Sequence, residues 1–206
     1  MPAQTLTADA FVLVKRPAAA DGWFTLTLLS EEQGPLTARQ RLPKRGAASQ
    51  LLLDVFDEAA LILESSNQGR TWFVREARLI ARHSELGRSY AALQAASGFA
   101  LLLARNPVAP ESRGAVLALL RTAFAAFAQS GRPDVVGFKS LYCFARDEGY
   151  PVKQEWFAGL NPADRAAAAA LLNRPLSAQT GPAEEVARLQ RGLETYLRAH
   201  TEIALD

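Results

Sequence analysis

The spacing of the apolar residues changes near His83, and this change constrains the fold of the 206-residue chain more than any other feature. Before His83, short runs rich in β-branched and aromatic residues alternate with turn signals. After it, apolar residues recur at the spacing of one helix face. We therefore expect an α+β protein with a strand-rich domain over residues 1–82 and an all-helical domain over residues 83–206.

Five runs before His83 have the character of β-strands: Leu6–Arg16, Trp23–Ser30, Leu36–Leu42, Leu51–Glu64 and Arg70–Arg82. In the second run apolar residues alternate with Trp23 and two threonines, which predicts that one face lies in a core. The pair Asp57-Glu58 interrupts the fourth run and indicates a bulge or bend. Five short antiparallel strands suit a closed barrel of the OB type, because closure removes exposed sheet edges. An SH3-like barrel fits the strand count nearly as well.

The helical part is divided by capping and stop signals. The first helix is expected to begin with Ser84 as its N-cap and to bury Leu86, Tyr90 and Leu93. Asn106-Pro107 is expected to end it. Four further helices are predicted around Val116–Phe127, Phe138–Ala145, Ala166–Ala170 and Val186–Leu197.

Several kinds of functional site are excluded by composition and motifs. One cysteine and two histidines are too few for a four-ligand zinc site, and Cys143 lies on a predicted core-facing stripe, where an inert thiol is expected. The sequence contains no phosphate-binding glycine loop, no nucleophile elbow and no His-Glu-x-x-His motif. We therefore expect no metal, no cofactor and no enzymatic activity.

The sequence also bears on location. Its first residues lack the layout of a signal peptide, and the longest mostly apolar stretch, Tyr90–Ala104, is too short to cross a bilayer. The net charge of +2 and the pI near 8.9 are only mildly basic. We expect a cytoplasmic protein that does not associate with membranes.

One local feature has a functional interpretation. Four cations, Arg39, Arg41, Lys44 and Arg45, fall in one seven-residue window after the predicted third strand. At the rim of an OB barrel such a cluster neutralises phosphates, while aromatic side chains on the barrel face stack on bases. The available aromatic residues are Trp23, Phe24, Trp72 and Phe73, of which Phe24 is expected in the core. In the alternative interpretation the charges coat a solvated hairpin and the aromatic residues are all core.

The order of these parts resembles the RecO family of bacterial DNA repair and recombination mediators over most of the chain. Five colinear stretches carry the resemblance: Ala10–Arg16, Leu28–Gly34, Arg39–Ser49, Val74–Ile80 and Phe138–Pro151. They resemble an opening strand, a turn, a basic loop, a later strand and a helix of that family. The chain departs from the family near residues 150–160, where the four-cysteine zinc module is shortened or missing, and at the acidic end Glu202–Asp206.

The resemblance implies a non-enzymatic protein that binds single- and double-stranded DNA without sequence preference. It implies that the protein promotes annealing and helps to load RecA together with RecR and the single-stranded DNA-binding protein. The implied location is the cytoplasm, in association with the nucleoid. An arginine-rimmed apolar groove on the helices would take the acidic tail of the single-stranded DNA-binding protein. The implied DNA-binding residues are Lys15, Arg16, Arg39, Arg41, Lys44 and Arg45 for phosphates, and Trp23 and Trp72 for bases.

A second function agrees with the same sequence. The chain would then be a RecO-derived scaffold for protein interactions that binds DNA weakly or not at all. Residues 1–81 contain nine cations and nine anions, the end of the chain is acidic and the zinc module is missing. Each of these features lowers the expected affinity for a polyanion.

Overall fold

The computed structural model describes residues 4–43, 51–65 and 68–205. The chain forms two compact units. The first comprises the residues up to His83 together with Pro107–Leu117, and the second comprises Ser84–Asn106 and the residues from Ala118 onward. The change from strands to helices at His83 thus coincides with the main division, but one later segment belongs with the strands.

Five strands make up the sheet of the first unit: β1 Gln4–Pro17, β2 Trp23–Ser30, β3 Gly34–Arg41, β4 Glu58–Ser65 and β5 Trp72–Ala81. The sheet closes in a ring in the order β1-β2-β3-β5-β4. Neighbouring strands are antiparallel except β3 and β5, which form a short parallel pair. The predicted α+β class, with a closed five-stranded sheet followed by helices, is confirmed.

The interior of the closed sheet is apolar. Alternate residues of β2 point inward as predicted, and Leu26 and Leu28 are completely buried there with Ala10, Val12 and Leu61. Phe24 packs against the edge of this cluster. The intervening residues of β2, including Trp23, therefore point away from the interior.

The prediction of a strand from Leu51 is wrong, because β4 begins only at Glu58. The backbone reverses in the preceding residues, where Phe56 has a φ of 73° in the left-handed region. The carboxylate of buried Asp57 accepts a hydrogen bond from the backbone N–H of Asp54 (2.7 Å) and two from the guanidinium of Arg82. These contacts fix a turn next to the Asp57-Glu58 pair, where the sequence indicated a bulge or bend, and the register of β4 against β5 also shifts between Glu58 and Ala59.

The principal helices are α1 Tyr90–Arg105, α2 Arg113–Gln129, α3 Pro133–Asp147, α4 Pro162–Asn173 and α5 Ala183–His200. Shorter helical turns cover Ser84–Arg88, Lys153–Phe157 and Leu176–Ala178. None of the helices within the described ranges has the length and apolar character needed to cross a membrane.

The start of α1 differs from the prediction. Ser89, not Ser84, is its N-cap, and the Ser89 hydroxyl accepts a hydrogen bond from the backbone N–H of Ala92 (3.3 Å). The buried face of the helix is not the one that carries Tyr90 and Leu93. It consists of Ala92, Ala96, Phe99, Ala100, Leu102 and Leu103. Tyr90 and Leu93, predicted to be buried, are instead exposed, Tyr90 by 79%.

Candidate nucleic-acid interface

Strand pairing brings four residues into one row on the outside of the closed sheet. Arg16 of β1 is opposite Thr25 of β2, Thr25 is opposite Arg39 of β3, and Arg39 is opposite Phe73 of β5. Directly paired residues of neighbouring strands project from the same face. The neighbouring positions, such as Leu26, point inward. The row therefore places two arginines and a phenylalanine on one outward surface.

Trp23 extends this row along the sheet. It is opposite Arg41, whose guanidinium carbon lies 5.8 Å from the centre of the indole ring. The indole also meets Phe73 edge-on, with ring centres 5.5 Å apart and an interplanar angle of 76°. Because β3 lies between β2 and β5, the indole must reach across β3 to make this contact. Arg16, Arg39, Arg41, Trp23 and Phe73 are called the outer cluster below.

The arginines of the outer cluster are not neutralised by described carboxylates. Among the residues of known position, the ion pairs of this unit join Lys15 to Asp54 (3.4 Å), Arg75 to Glu64 (3.6 Å) and Arg82 to Asp57. None of the described ion pairs includes an arginine of the outer cluster. A guanidinium without a carboxylate partner keeps its donors available for a phosphate.

Lys15, predicted to bind DNA, lies on the opposite face from the outer cluster. A register shift in β1 between Val12 and Val14 reverses the alternation, so Lys15 is opposite the inward residue Leu26. Its side chain is 13% exposed, and its ammonium lies 4.7 Å from the centre of the Phe24 ring and beside Asp54. The bulge thus separates Lys15 from its sequence neighbour Arg16.

Trp72, also predicted to contact DNA, points inward. It is opposite Ala38, which is completely buried, and it packs against the interior cluster. Phe73 takes the outward position that the sequence interpretation gave to Trp72. One signal in the sequence indicates this, because Val74 is an apolar strand residue two positions from Trp72 and such residues share a face.

The other two predicted residues, Lys44 and Arg45, lie outside the described residues. The described chain resumes at Leu51, and Leu51 and Leu53 are hydrogen-bonded to β3 close to the outer cluster. The completely buried side chain of Gln40 donates to the carbonyl of Leu51 (2.8 Å) and accepts from the N–H of Leu53 (3.0 Å). Gln40 lies between Arg39 and Arg41 in β3, so Leu51 and Leu53 are held beside the end of β3 that carries the outer cluster.

Two further groups of the described chain bear on catalysis, the Cys143 thiol and the Asp57 carboxylate. Within the described parts of the chain, no three His, Cys, Asp or Glu residues are grouped so that they would hold a metal ion. Burial raises the pKa of the Cys143 thiol above its usual value, which disfavours the nucleophilic thiolate. The buried carboxylate of Asp57 is engaged with Arg82, and the hydrogen bond to Asp57 raises the pKa of that arginine. The contacts between Asp57 and Arg82 stabilise the turn before β4.

The helical unit contains a groove between α1, α3 and α5. Its volume is about 380 Å³. Phe99, Leu102 and Leu141 line its apolar part, whereas Arg198 and Glu194 of α5 lie on its polar side. Besides Arg198 and Glu194, Asp134 of α3 lines the groove, so one arginine stands beside two acidic residues where an arginine rim was expected.

No protein-family model matches this chain, and no curated protein sequence is significantly similar to it.

Proposed function

We propose that the chain binds DNA through the outer cluster and acts as a recombination mediator of the RecO type. The observation that carries this proposal is the grouping of three arginines without described carboxylate partners around two aromatic rings on one outward face. Arginines in such a group hold successive phosphates, and ring faces stack on bases of any identity. The expected binding is therefore independent of base sequence and sensitive to salt.

The topology of the first unit supports this proposal. We assign the closed sheet to the OB class, a five-stranded Greek-key barrel. Oligonucleotides bind OB domains on the face formed by the second and third strands. Trp23, Arg39 and Arg41 lie on β2 and β3, and the other two members of the outer cluster lie on the strands that flank this pair.

The relation between Trp23 and Arg41 suggests how the site engages a single strand. The Arg41 guanidinium is stacked near the indole, where a base would also stack. A base that takes this place releases Arg41 to a phosphate. Single strands, whose bases are free to stack, are then favoured over duplex DNA.

The wider role proposed for the chain follows from the family resemblance. Its partners would be RecR, the acidic tail of the single-stranded DNA-binding protein and, indirectly, RecA. Its activity would be annealing and RecA loading without catalysis, and its location the cytoplasm near the nucleoid. The charges that line the groove are mixed, with Arg198 beside Glu194 and Asp134.

A RecO-derived scaffold with weak or no DNA binding is the second candidate. Its support is the charge balance of residues 1–81, which contain nine cations and nine anions. In this case the outer cluster would be an ordinary solvated surface. The two candidates differ in one measurable property, the affinity for a single strand at low salt.

The test is a titration of fluorescein-labelled oligothymidylate by fluorescence anisotropy across a salt series. We would compare wild type with R39E/R41E and with the control R174E/R191E, which makes the same charge change on exposed residues of the helical unit. Each lost phosphate contact lowers the slope of log K against log salt by about 0.7 for a single strand. We therefore expect a slope reduced by about 1.4 in R39E/R41E, and the wild-type slope in the control.

Two results would contradict the proposal. Equal losses in both double variants would mean that only net charge matters. An absence of wild-type binding at low salt would favour the scaffold.

A further inference from the structure

A carboxylate borders the outer cluster on the side away from its arginines. Glu64 of β4 is directly opposite Phe73 of β5, and Phe73 is opposite Arg39 of β3. Directly paired residues project from the same face, so Glu64 belongs to the outward row that contains Phe73 and Arg39. All three residues lie in the first unit. Along this row the charge therefore changes sign from one side of the Phe73 ring to the other.

A bulge in β5 brings a further arginine beside this carboxylate. The register of β4 against β5 shifts between Ile62 and Leu63, and Arg75 is the extra residue of β5 at this point. The Arg75 side chain is 69% exposed, and its Nε lies 3.6 Å from Oε1 of Glu64, whose side chain is 43% exposed. Glu64 and Arg75 are called the boundary pair below. Unlike the arginines of the outer cluster, Arg75 has a carboxylate partner.

The position of the boundary pair matches the separation of the two backbones of a duplex. Neighbouring strands of a sheet lie about 4.8 Å apart, so the backbone of Glu64 is about 10 Å from that of Arg39 across two strand spacings. The minor groove of B-DNA is about 6 Å wide and the major groove about 12 Å. A duplex with one backbone on Arg39 and the other on the side of Phe73 would therefore bring its second backbone close to the boundary pair.

The charges of the boundary pair disfavour this second backbone. The Glu64 carboxylate repels phosphate, and it also engages Arg75, which could otherwise contact a phosphate. Unfavourable charges of this kind exclude a competing ligand without strengthening the binding of the correct one. A single strand has no second backbone, so it occupies the outer cluster without meeting the Glu64 carboxylate.

We propose that Glu64 is a specificity-determining residue that excludes duplex DNA from the outer cluster. It repels the second backbone and holds Arg75 away from it. The proposal rests on the proposed DNA binding by the outer cluster, and it names the single strand as the ligand of that site. Removal of the Glu64 charge would convert Arg75 into a contact for the second backbone of a duplex.

The test compares wild type with Glu64→Gln, which keeps the size of the side chain and removes its charge. Fluorescein-labelled oligothymidylate would be titrated alone and annealed to oligoadenylate, by anisotropy across a salt series. One exposed charge interaction tightens binding about two- to fivefold, and one added phosphate contact steepens the salt slope of a duplex by about 0.9. We expect both changes for the duplex at about 0.1 M salt. Affinity for the single strand should be unchanged, because the Debye length is then about 10 Å.

Two further variants separate the role of Glu64 from a general effect of charge. E64Q/R75Q lacks the released cation and should lose the steeper duplex slope. Glu32→Gln makes the same charge change at an exposed position between β2 and β3, at the opposite end of these strands from the outer cluster. It should leave both affinities unchanged. An exposed ion pair contributes little to stability, so all of these variants should fold.

The outcomes distinguish this inference from the proposed function. Unchanged duplex binding by E64Q would overturn the inference, as would equal tightening on single strand and duplex, equal tightening by E32Q, or a duplex slope in E64Q/R75Q as steep as in E64Q. Each of these results would leave single-strand binding by the outer cluster intact. If wild type failed to bind the single strand, the proposed function and this inference would both be wrong.

Discussion

Replacement of Trp23 tests the stacking part of the proposed DNA site separately from its charge. We compare Trp23→Leu, which keeps an apolar side chain but removes the aromatic face, with Trp23→Phe, which keeps a ring. Stacking of a base on an aromatic side chain contributes about 1–3 kcal/mol. Trp23→Leu should therefore weaken binding to oligothymidylate about 5- to 150-fold, whereas Trp23→Phe should retain most of the affinity.

The structure also limits what this substitution does to folding. Trp23 lies on the outside of the closed sheet, and its ring contacts are with Phe73 and Arg41. Loss of an aromatic pair costs about 0.5–1.5 kcal/mol, which is less than the stability of a typical domain. Urea unfolding of both variants would establish that they remain folded under the binding conditions.

The salt dependence distinguishes the two contributions. Trp23 carries no charge, so Trp23→Leu should shift the plot of log K against log salt downward without changing its slope. R39E/R41E should change the slope itself. Anisotropy titrations at four or more salt concentrations would provide both the affinity and the slope of log K against log salt. Equal affinities of folded Trp23→Leu and wild type would refute the assignment of Trp23 as a stacking platform.

Three further predictions concern stability and are all measurable by urea unfolding. Gly34→Ala should destabilise by about 1–3 kcal/mol, because φ is +70°, in the left-handed region that strains any residue other than glycine; a loss below about 0.5 kcal/mol would contradict it. Asp57→Asn should lower the free energy of unfolding by about 2 kcal/mol or more, because it removes the charge that Arg82 contacts. An unchanged midpoint of urea unfolding would contradict this prediction. Burial raises the pKa of Tyr196 from 10.0 to about 12, and so does the hydrogen bond that its hydroxyl donates to the Glu155 carboxylate. The contribution of Tyr196 to stability is therefore complete below pH 10 and is lost as pH rises towards 12. The stability of Tyr196→Phe should not show this decline. If the free energies of unfolding of wild type and Tyr196→Phe fell in parallel with rising pH, this prediction would be wrong.

The turn before β4 links the stability of the first unit to the geometry of the proposed DNA site. Asp57 and Arg82 fix the residues that precede β4, and Gln40 fixes Leu51 and Leu53 against β3. Gln40 is adjacent to two arginines of the outer cluster. Weakening these buried contacts should therefore disturb the strand end that presents Arg39 and Arg41 as well as the stability of the unit.

Much of the secondary structure could be predicted from the sequence alone. The two-residue alternation of β2 identified its inward side chains and left Trp23 outside, and the later helical spacing identified five helices. The cap of α4 is also a local signal, because Asn161 precedes Pro162 and its side chain accepts from the N–H of Asp164 (2.9 Å). Such signals depend on neighbours within a few positions along the chain, so local sequence is sufficient for them.

Tertiary structure decided which predicted site residues come together. A bulge in β1 turned Lys15 inward, and the parallel contact of β5 with β3 placed Phe73, not Trp72, beside Trp23. Neither pairing follows from the strand patterns, because register is set by partners far away in the sequence. The end of α1 at Asn106 was predicted from the sequence, but the hydrogen bonds of the Asn106 amide with the backbone of Ala204, 98 positions later, are encoded by no local pattern.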